Sequence, residues 1–230
     1  MANILNIDTS SKICSVALAI NGEIVKGFES KETMDHAKSL APFVDQCINY
    51  IRENNLHLNA VAVVAGPGSY TGLRIGLSLA KGLCFSLDLP LLTLSSLEVL
   101  AVRGIFSYPE FSGNELIVPM LDARRMEVYT AVYDSALFKE MDEHPVELDE
   151  NSFSNFYSKE KIIFIGDGID KFKPIYKGEN GIWLQNLSSH AKFMVPLAEK
   201  RLKEGKFANV AYSTPNYLKE YQATKSKPRL

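Results

Sequence analysis

Only three cysteines and four histidines occur among the 230 residues, and both shortages narrow the chemistry. Cys14, Cys47 and Cys84 are odd in number and show no C-x-x-C spacing. They read as small core residues of a reducing compartment rather than a disulfide frame or a zinc site. His36, His57, His144 and His190 are each isolated, with no second histidine three or four residues away, which argues against zinc. His36, just ahead of a helix, reads as a packed or capping residue. No apolar run reaches the length of a membrane span, and the start Met-Ala-Asn-Ile-Leu-Asn-Ile-Asp carries no basic segment before one. Neither a secretion signal nor an anchor is expected, and the expected location is the cytoplasm. Charge of one sign is also missing: a net charge of −2 argues against strong unaided binding of nucleic acid, which depends on neutralising phosphates.

What is present is apolar material and glycine in an ordered pattern. With 46% hydrophobic residues the chain can bury a substantial core, as one large domain or two small lobes. The run from Val61 to Gly82 joins a β-branched strand signal (Val61, Val63, Val64) to a turn with Gly66, Gly68 and Gly72, and then to a helix that Ser69 or Thr71 can cap. Backbone N–H groups at that helix start could hold an anion. The spacing G-x-G-x-x-x-G is one residue too long for a dinucleotide fingerprint, and no Lys-Ser/Thr pair follows as in a P-loop. Within the helix Gly72, Gly76 and Ala80 fall four apart, a smooth stripe that either packs on the sheet or admits a partner. Leu73, Leu77, Leu83, Cys84 and Leu87 form an adjoining apolar stripe.

The remaining punctuation describes an α/β protein. Ile4 to Ile7 reads as a strand ending in Asp8-Thr9-Ser10, where a phosphate or metal is often held but where ordinary turns are also made of these residues. Asn21-Gly22 between apolar runs predicts a hairpin from Ile13–Ile20 into Glu23–Phe28. A helix follows His36, with Leu40, Phe43, Val44, Cys47, Ile48 and Ile51 on one face and Pro42 tolerable only near its start or at a kink. Strands are expected at Leu89–Leu94, Leu116–Leu121, Glu127–Tyr133 and Ile162–Ile165, the last running into Gly166-Asp167-Gly168. A hinge is expected at Gly104, Tyr108-Pro109 and Ser112-Gly113, a polar stretch over Ser135–Lys161, and a helix at His190–Glu204 before a tail rich in Lys and Tyr.

Five blocks carry a resemblance: Ile4-Leu-Asn-Ile-Asp-Thr-Ser10, Asp35-His-Ala-Lys-Ser-Leu-Ala-Pro42, Gly66-Pro-Gly-Ser-Tyr-Thr-Gly-Leu-Arg-Ile-Gly76, Asp122-Ala-Arg-Arg-Met-Glu-Val-Tyr129 and Pro215-Asn-Tyr-Leu218. Together they resemble the TsaB (YeaZ) family of bacterial tRNA threonylcarbamoyladenosine biosynthesis proteins, over nearly the whole chain, with 135–185 the most divergent stretch. The resemblance implies an actin-like ATPase (ASKHA, RNase H-like) fold. Its two lobes, of mixed sheets flanked by helices, would be residues 1–103 and a shorter 104–230, with the last helix and tail packing back on the first. It implies a non-catalytic partner and activator of TsaD, the threonylcarbamoyl transferase, acting with TsaE on tRNAs that read codons beginning with A. The donor would come from the TsaC synthase. Such a chain needs no cofactor of its own, since ATP is used through TsaE and the metal lies in TsaD. It would reach tRNA through the complex and pair with itself when TsaD is absent. The His-x-x-x-His metal pair of TsaD falls at Ser96 and Leu100 here, and leucine ligates no metal.

The site residues that follow from this comparison are of two kinds. Asp8, Thr9, Ser10, Gly66 and Gly68 would be remnants of a phosphate site, with nucleotide binding weak and hydrolysis negligible, and Gly166-Asp167-Gly168 either their counterpart or a simple turn. Lys38, Ala41 and Asp45 on one helix and Gly72, Ile75, Gly76 and Leu79 on the other would face the partner. On that reading Gly76→Leu leaves the fold intact and breaks the complex; if Gly76 packs inside the lobe, the same change unfolds it. Tyr70 and Arg74 would either meet the partner or shape the loop, and the tail residues Lys219, Lys225, Lys227 and Arg229 would touch tRNA or lie in solvent. Two other functions stay open: an actin-fold small-molecule kinase using Asp8 and Asp122, and a metallopeptidase, against which the missing histidine pair speaks.

Overall fold

The computed structural model describes residues 2–30, 35–159 and 161–219. Strands β1 (Asn3–Asp8), β2 (Ser15–Ile20) and β3 (Glu23–Glu29) form an antiparallel meander, turned at Asn21 and Gly22 with both residues left-handed. That is the backbone the Asn-Gly pair favours. Helix α1 (His36–Glu53), β4 (Ala60–Gly66), α2 (Tyr70–Leu87) and β5 (Leu91–Ser95) follow, giving a first sheet of order β3-β2-β1-β4-β5 in which β4 and β5 run parallel to β1. Helix α3 (Ser96–Ser107) leads to β6 (Leu116–Asp122), β7 (Glu127–Tyr133), β8 (Lys139–Glu147), β9 (Ile162–Ile165), short helix α4 (Ile169–Phe172) and β10 (Gly181–Leu184). A 3-10 turn at Ala191–Met194 then enters α5 (Val195–Lys203). The second sheet, β10-β9-β6-β7-β8, repeats the first read from its other edge: a meander joined to two parallel strands.

Period-two alternation sorts the core into layers. Leu5, Ile7, Val16, Leu18, Val61 and Val63 face α1 and α2, meeting Leu40, Val44, Cys47, Leu77, Ala80 and Cys84. The opposite face of that sheet, with Ile4, Ala17, Ala62, Val64 and Leu94, meets Val99 and Val102 of α3 and Leu197 and Ala198 of α5. Helix α3 turns Leu97, Leu100 and Ala101 to the second sheet, against Ile117, Ala131 and Ile165. A layer of Phe153, Phe164, Phe172 and Trp183 covers that sheet's far side. Each fully buried Leu or Phe here contributes roughly 1.5–3 kcal/mol of transfer free energy.

Several expectations shift. Arg103 and Gly104 are not a hinge but lie inside α3, which packs on both sheets; only 108–115 is irregular. Gly104 is there because a side chain would press on Ile117. Strand β8 falls in the polar stretch because it is exposed along alternate residues, and β10, beyond that stretch, is only four residues long. All three cysteines are free and buried, and burial pushes their thiols up to about 12 at Cys14 and Cys47 and about 11 at Cys84.

Candidate phosphate cleft and partner face

The carboxyl ends of β1, β4, β6 and β9 converge between the lobes, where a cavity of about 150 Å³ is lined by Ser10, Ser11, Lys12, Gly68, Ser69, Asp122, Asp167 and Ser189 among others. Strand ends are where open α/β sheets bind ligands. Buried Asp8, at the end of β1, accepts three hydrogen bonds from the chain itself. Its Oδ1 accepts the N–H (2.9 Å) and hydroxyl (2.6 Å) of Ser10, and its Oδ2 accepts the hydroxyl of Ser189 at 2.5 Å. Nothing in the local sequence announces Ser189, which arrives from beyond β10. Around it the segment is fastened to the first lobe: Arg103 donates to the Ser188 carbonyl (2.6 Å), the Ala191 N–H to Ser15 Oγ (3.0 Å), and the His190 Nε2–H to Glu29 Oε2 (3.1 Å). Burial holds the His190 pKa below its usual value against the pull of Glu29 and Asp8.

The glycine-rich turn closes on the same strand end. Ser69 caps α2 by accepting the Gly72 N–H (3.2 Å), and its own N–H donates to the Ser10 carbonyl (2.8 Å). A side chain at Gly68 would strike that carbonyl, and one at left-handed Gly66 would stand 2.7 Å from the Asn216 carbonyl. The stripe of Gly72 and Gly76 is buried: a Cβ at either would collide with Thr9, with its carbonyl and its hydroxyl respectively, while that hydroxyl donates to the Gly72 carbonyl (2.8 Å). Gly72 and Gly76 therefore do not face a partner. They let α2 lie against the end of β1.

Of the other helix residues singled out, Lys38, Ala41 and Asp45 are exposed, while Ile75 and Leu79 are half-buried against the core. Phe85, in the last turn of α2, is 85% exposed. The segment after α5 runs along α2. The Ala208 N–H bonds the Leu91 carbonyl, Lys81 donates to the Ala211 (3.0 Å) and Ser213 (3.1 Å) carbonyls, and Asn216 N–H to that of Ala65 (2.7 Å). Arg74 stacks 4.0 Å over the Tyr70 ring and donates to the Tyr217 hydroxyl at 3.0 Å. Tyr70 and Arg74 thus fasten the segment that carries Tyr217. Lys219 reaches Glu127 of the second lobe at 2.7 Å; Lys225, Lys227 and Arg229 lie outside the described residues.

Across the cleft, Asp122 accepts Lys171 (2.7 Å) and the Arg124 N–H (2.6 Å). Burial alone would raise its pKa, but these donors and the charges of Lys171 and Lys12 hold it below the usual carboxylate range. The Asp122 N–H donates to Asp167 Oδ1 (2.9 Å), and Gly166 abuts the Met120 carbonyl. The Gly166-Asp167-Gly168 turn follows β9, which takes the place in the second sheet that β4, with its Gly66–Gly68 turn, has in the first, and Asp167 lines the cleft with Gly68. Ser96 and Leu100 are both buried in α3, Ser96 donating to the Pro67 carbonyl and Leu100 in the interlobe core. Among the described residues no three His, Cys, Asp or Glu side chains are grouped to hold a metal, and no helix is long and apolar enough to cross a membrane.

The family described as TsaD, tRNA N6-adenosine threonylcarbamoyltransferase, matches residues 30–227. The chain is 30% identical to the tRNA threonylcarbamoyladenosine biosynthesis protein TsaB of Escherichia coli (strain K12), over 98% of each chain. The chain belongs to the TsaB (YeaZ) family. A further TsaB protein, from Bacillus subtilis (strain 168), is 40% identical over 130 residues, 56% of this chain and about half (54%) of that one. A solved structure described as an uncharacterized protein with similarity to peptidase YEAZ from Pseudomonas aeruginosa superposes with a TM-score of 0.80 at 26% identity, over 95% of this chain and 100% of that one. The actin-like ATPase fold that TsaB shares extends to an inorganic polyphosphate/ATP-glucomannokinase from Arthrobacter sp. strain KM, at a TM-score of 0.51 and 12% identity over 88% of this chain and 100% of that one.

Proposed function

We propose that this TsaB-family chain is a non-catalytic partner that activates a TsaD-type transferase, with TsaE, in forming threonylcarbamoyladenosine beside the anticodon of tRNAs that read codons beginning with A. The observation that carries it is the state of Asp8. Three donors of the chain itself already hold the two oxygens of this strand-end carboxylate, which leaves it little capacity to face a metal-bound phosphate. The cavity of about 150 Å³ is also smaller than the several hundred Å³ of small-molecule sites. These residues do not fit a bound nucleotide. The positions that align with the TsaD histidines are a packed serine and a core leucine. Lys38, Ala41 and Asp45 leave one side of α1 exposed, and Phe85 the last turn of α2. A chain of the same fold could lay its equivalent helices there, either TsaD or, without it, a second copy.

The test is reconstitution of threonylcarbamoyl transfer with TsaD, TsaE and a donor-forming synthase. The expected result is modification that depends on this protein, which alone shows neither ATPase nor transferase activity. Full modification without it, or no association with TsaD, overturns the proposal.

A further inference from the structure

The β6–β7 turn puts two arginines where the backbone favours glycine or asparagine. Arg124 and Arg125 have φ of 71° and 46°, left-handed backbone that costs a non-glycine residue energy and that glycine and asparagine adopt most readily, in a three-residue loop, 124–126, closed by the Ala123 N–H on the Glu127 carbonyl. Both side chains are exposed and, among the described residues, make no hydrogen bond, ion pair or ring contact. The carboxylates that could neutralise them are engaged: Asp122 is held by Lys171 at 2.7 Å and Glu127 by Lys219 at 2.7 Å. Across the cleft, Lys12 lines the cavity and its charge acts on Asp122 from the first lobe. A chain of net charge −2 thus places two exposed guanidinium groups side by side on one turn.

We infer that the Arg124–Arg125 turn, with Lys12, is a contact for the phosphodiester backbone of tRNA. The choice of RNA rests on the proposed role in tRNA modification; the chemistry rests on the turn. Guanidinium groups bind phosphate through paired N–H donors, and these follow Asp122 of the cleft in sequence without lining the small cavity itself. An extended backbone crossing the turn meets them, and a triphosphate sunk between the lobes does not. The contact needs neither high net charge nor base recognition, because it supplies position and affinity rather than sequence.

The test is an anisotropy titration of a transcribed tRNA that reads codons beginning with A, against the protein with and without its TsaD-type partner, from about 50 to about 200 mM salt. In R124N/R125G, which puts the favoured residues in the turn, affinity falls roughly tenfold and the slope of log K against log salt becomes shallower by about two, one per phosphate contact. Its melting temperature is at or above the parent's, and R124K/R125K keeps most of the affinity. Unchanged affinity and slope in folded R124N/R125G overturns the inference, as does a parent that binds no tRNA in either form. Loss of association with TsaD at unchanged tRNA affinity reassigns the turn to a protein partner. ATP that displaces the tRNA at matched ionic strength, with arginine-dependent binding of its own, reassigns it to a free nucleotide. If the parent fails to associate with TsaD yet binds tRNA through the arginines, the partner role falls and this contact stands.

Discussion

The glycines of α2 separate packing from exposure at single-atom resolution. Gly76 has Thr9 in the space a Cβ would take, whereas Gly82 has nothing within 4 Å. Gly76→Leu forces apart α2 and the end of β1 and is expected to cost more than ~3 kcal/mol, the upper end of core overpacking. Gly82→Ala removes a flexible residue from a helix interior and is expected to add about 1 kcal/mol. Urea denaturation of the two variants checks both, and a Gly76→Leu protein as stable as the parent would show that the stripe is free after all. The four-residue spacing of Gly72, Gly76 and Ala80 was legible in the sequence, but the direction it faces was not. Spacing defines a stripe on a cylinder, and only the position of Thr9 tells which side of the cylinder is inside.

At the scale of elements, short irregular segments carry the polar fastening between lobes, beside the apolar packing of α3. Ser188, Ser189 and His190 bind Arg103, Asp8 and Glu29, and the segment after α5 ties β5 and α2 to β7 through Ala208, Lys81 and Lys219. His190 makes the first of these sensitive to pH. Its folded pKa lies below 6.5 because burial penalises the imidazolium, so the unfolded chain takes up the proton first as pH falls. Stability from this group is fully present above pH 6.5 and is lost as the pH drops through the lower folded value. Asp122 and Glu115, whose folded pKa values are also depressed despite burial, by Lys171 and by backbone N–H groups respectively, contribute a second loss further into acid. Denaturation midpoints recorded from pH 7.5 downward should fall in these two stages. His190→Gln should remove the first while leaving the second, and an unchanged profile in that variant would sink the assignment. The helices and most strands here follow from apolar periodicity and turn residues. Strands β8 and β10 and the Ser188–His190 fastening do not, since their sequences are half-exposed or irregular and take their form from distant partners.

For the whole molecule, α3 is the decisive element because one helix serves two sheets. Its Val99 and Val102 pack under the first and its Leu97, Leu100 and Ala101 over the second, while α5 returns from the second half of the chain to cover β1 and β5. With no face of α3 left to either lobe alone, the two should unfold together. Calorimetry is expected to show one transition whose calorimetric and van't Hoff enthalpies agree, and two separable transitions would mean that each lobe holds its own core. By itself the sequence determined the hairpin at Asn21-Gly22, the strand, glycine turn and capped helix from Val61 onward, the buried cysteines and the motif blocks of the family, because these depend on residue-specific backbone preference and on periodicity within a few turns of chain. Tertiary structure alone decided that the second sheet repeats the first, that Gly76 is walled in by Thr9, and that Asp8 is answered by a serine 181 positions away. Such pairings join surfaces brought together only when both sheets close on α3, and no local preference encodes them.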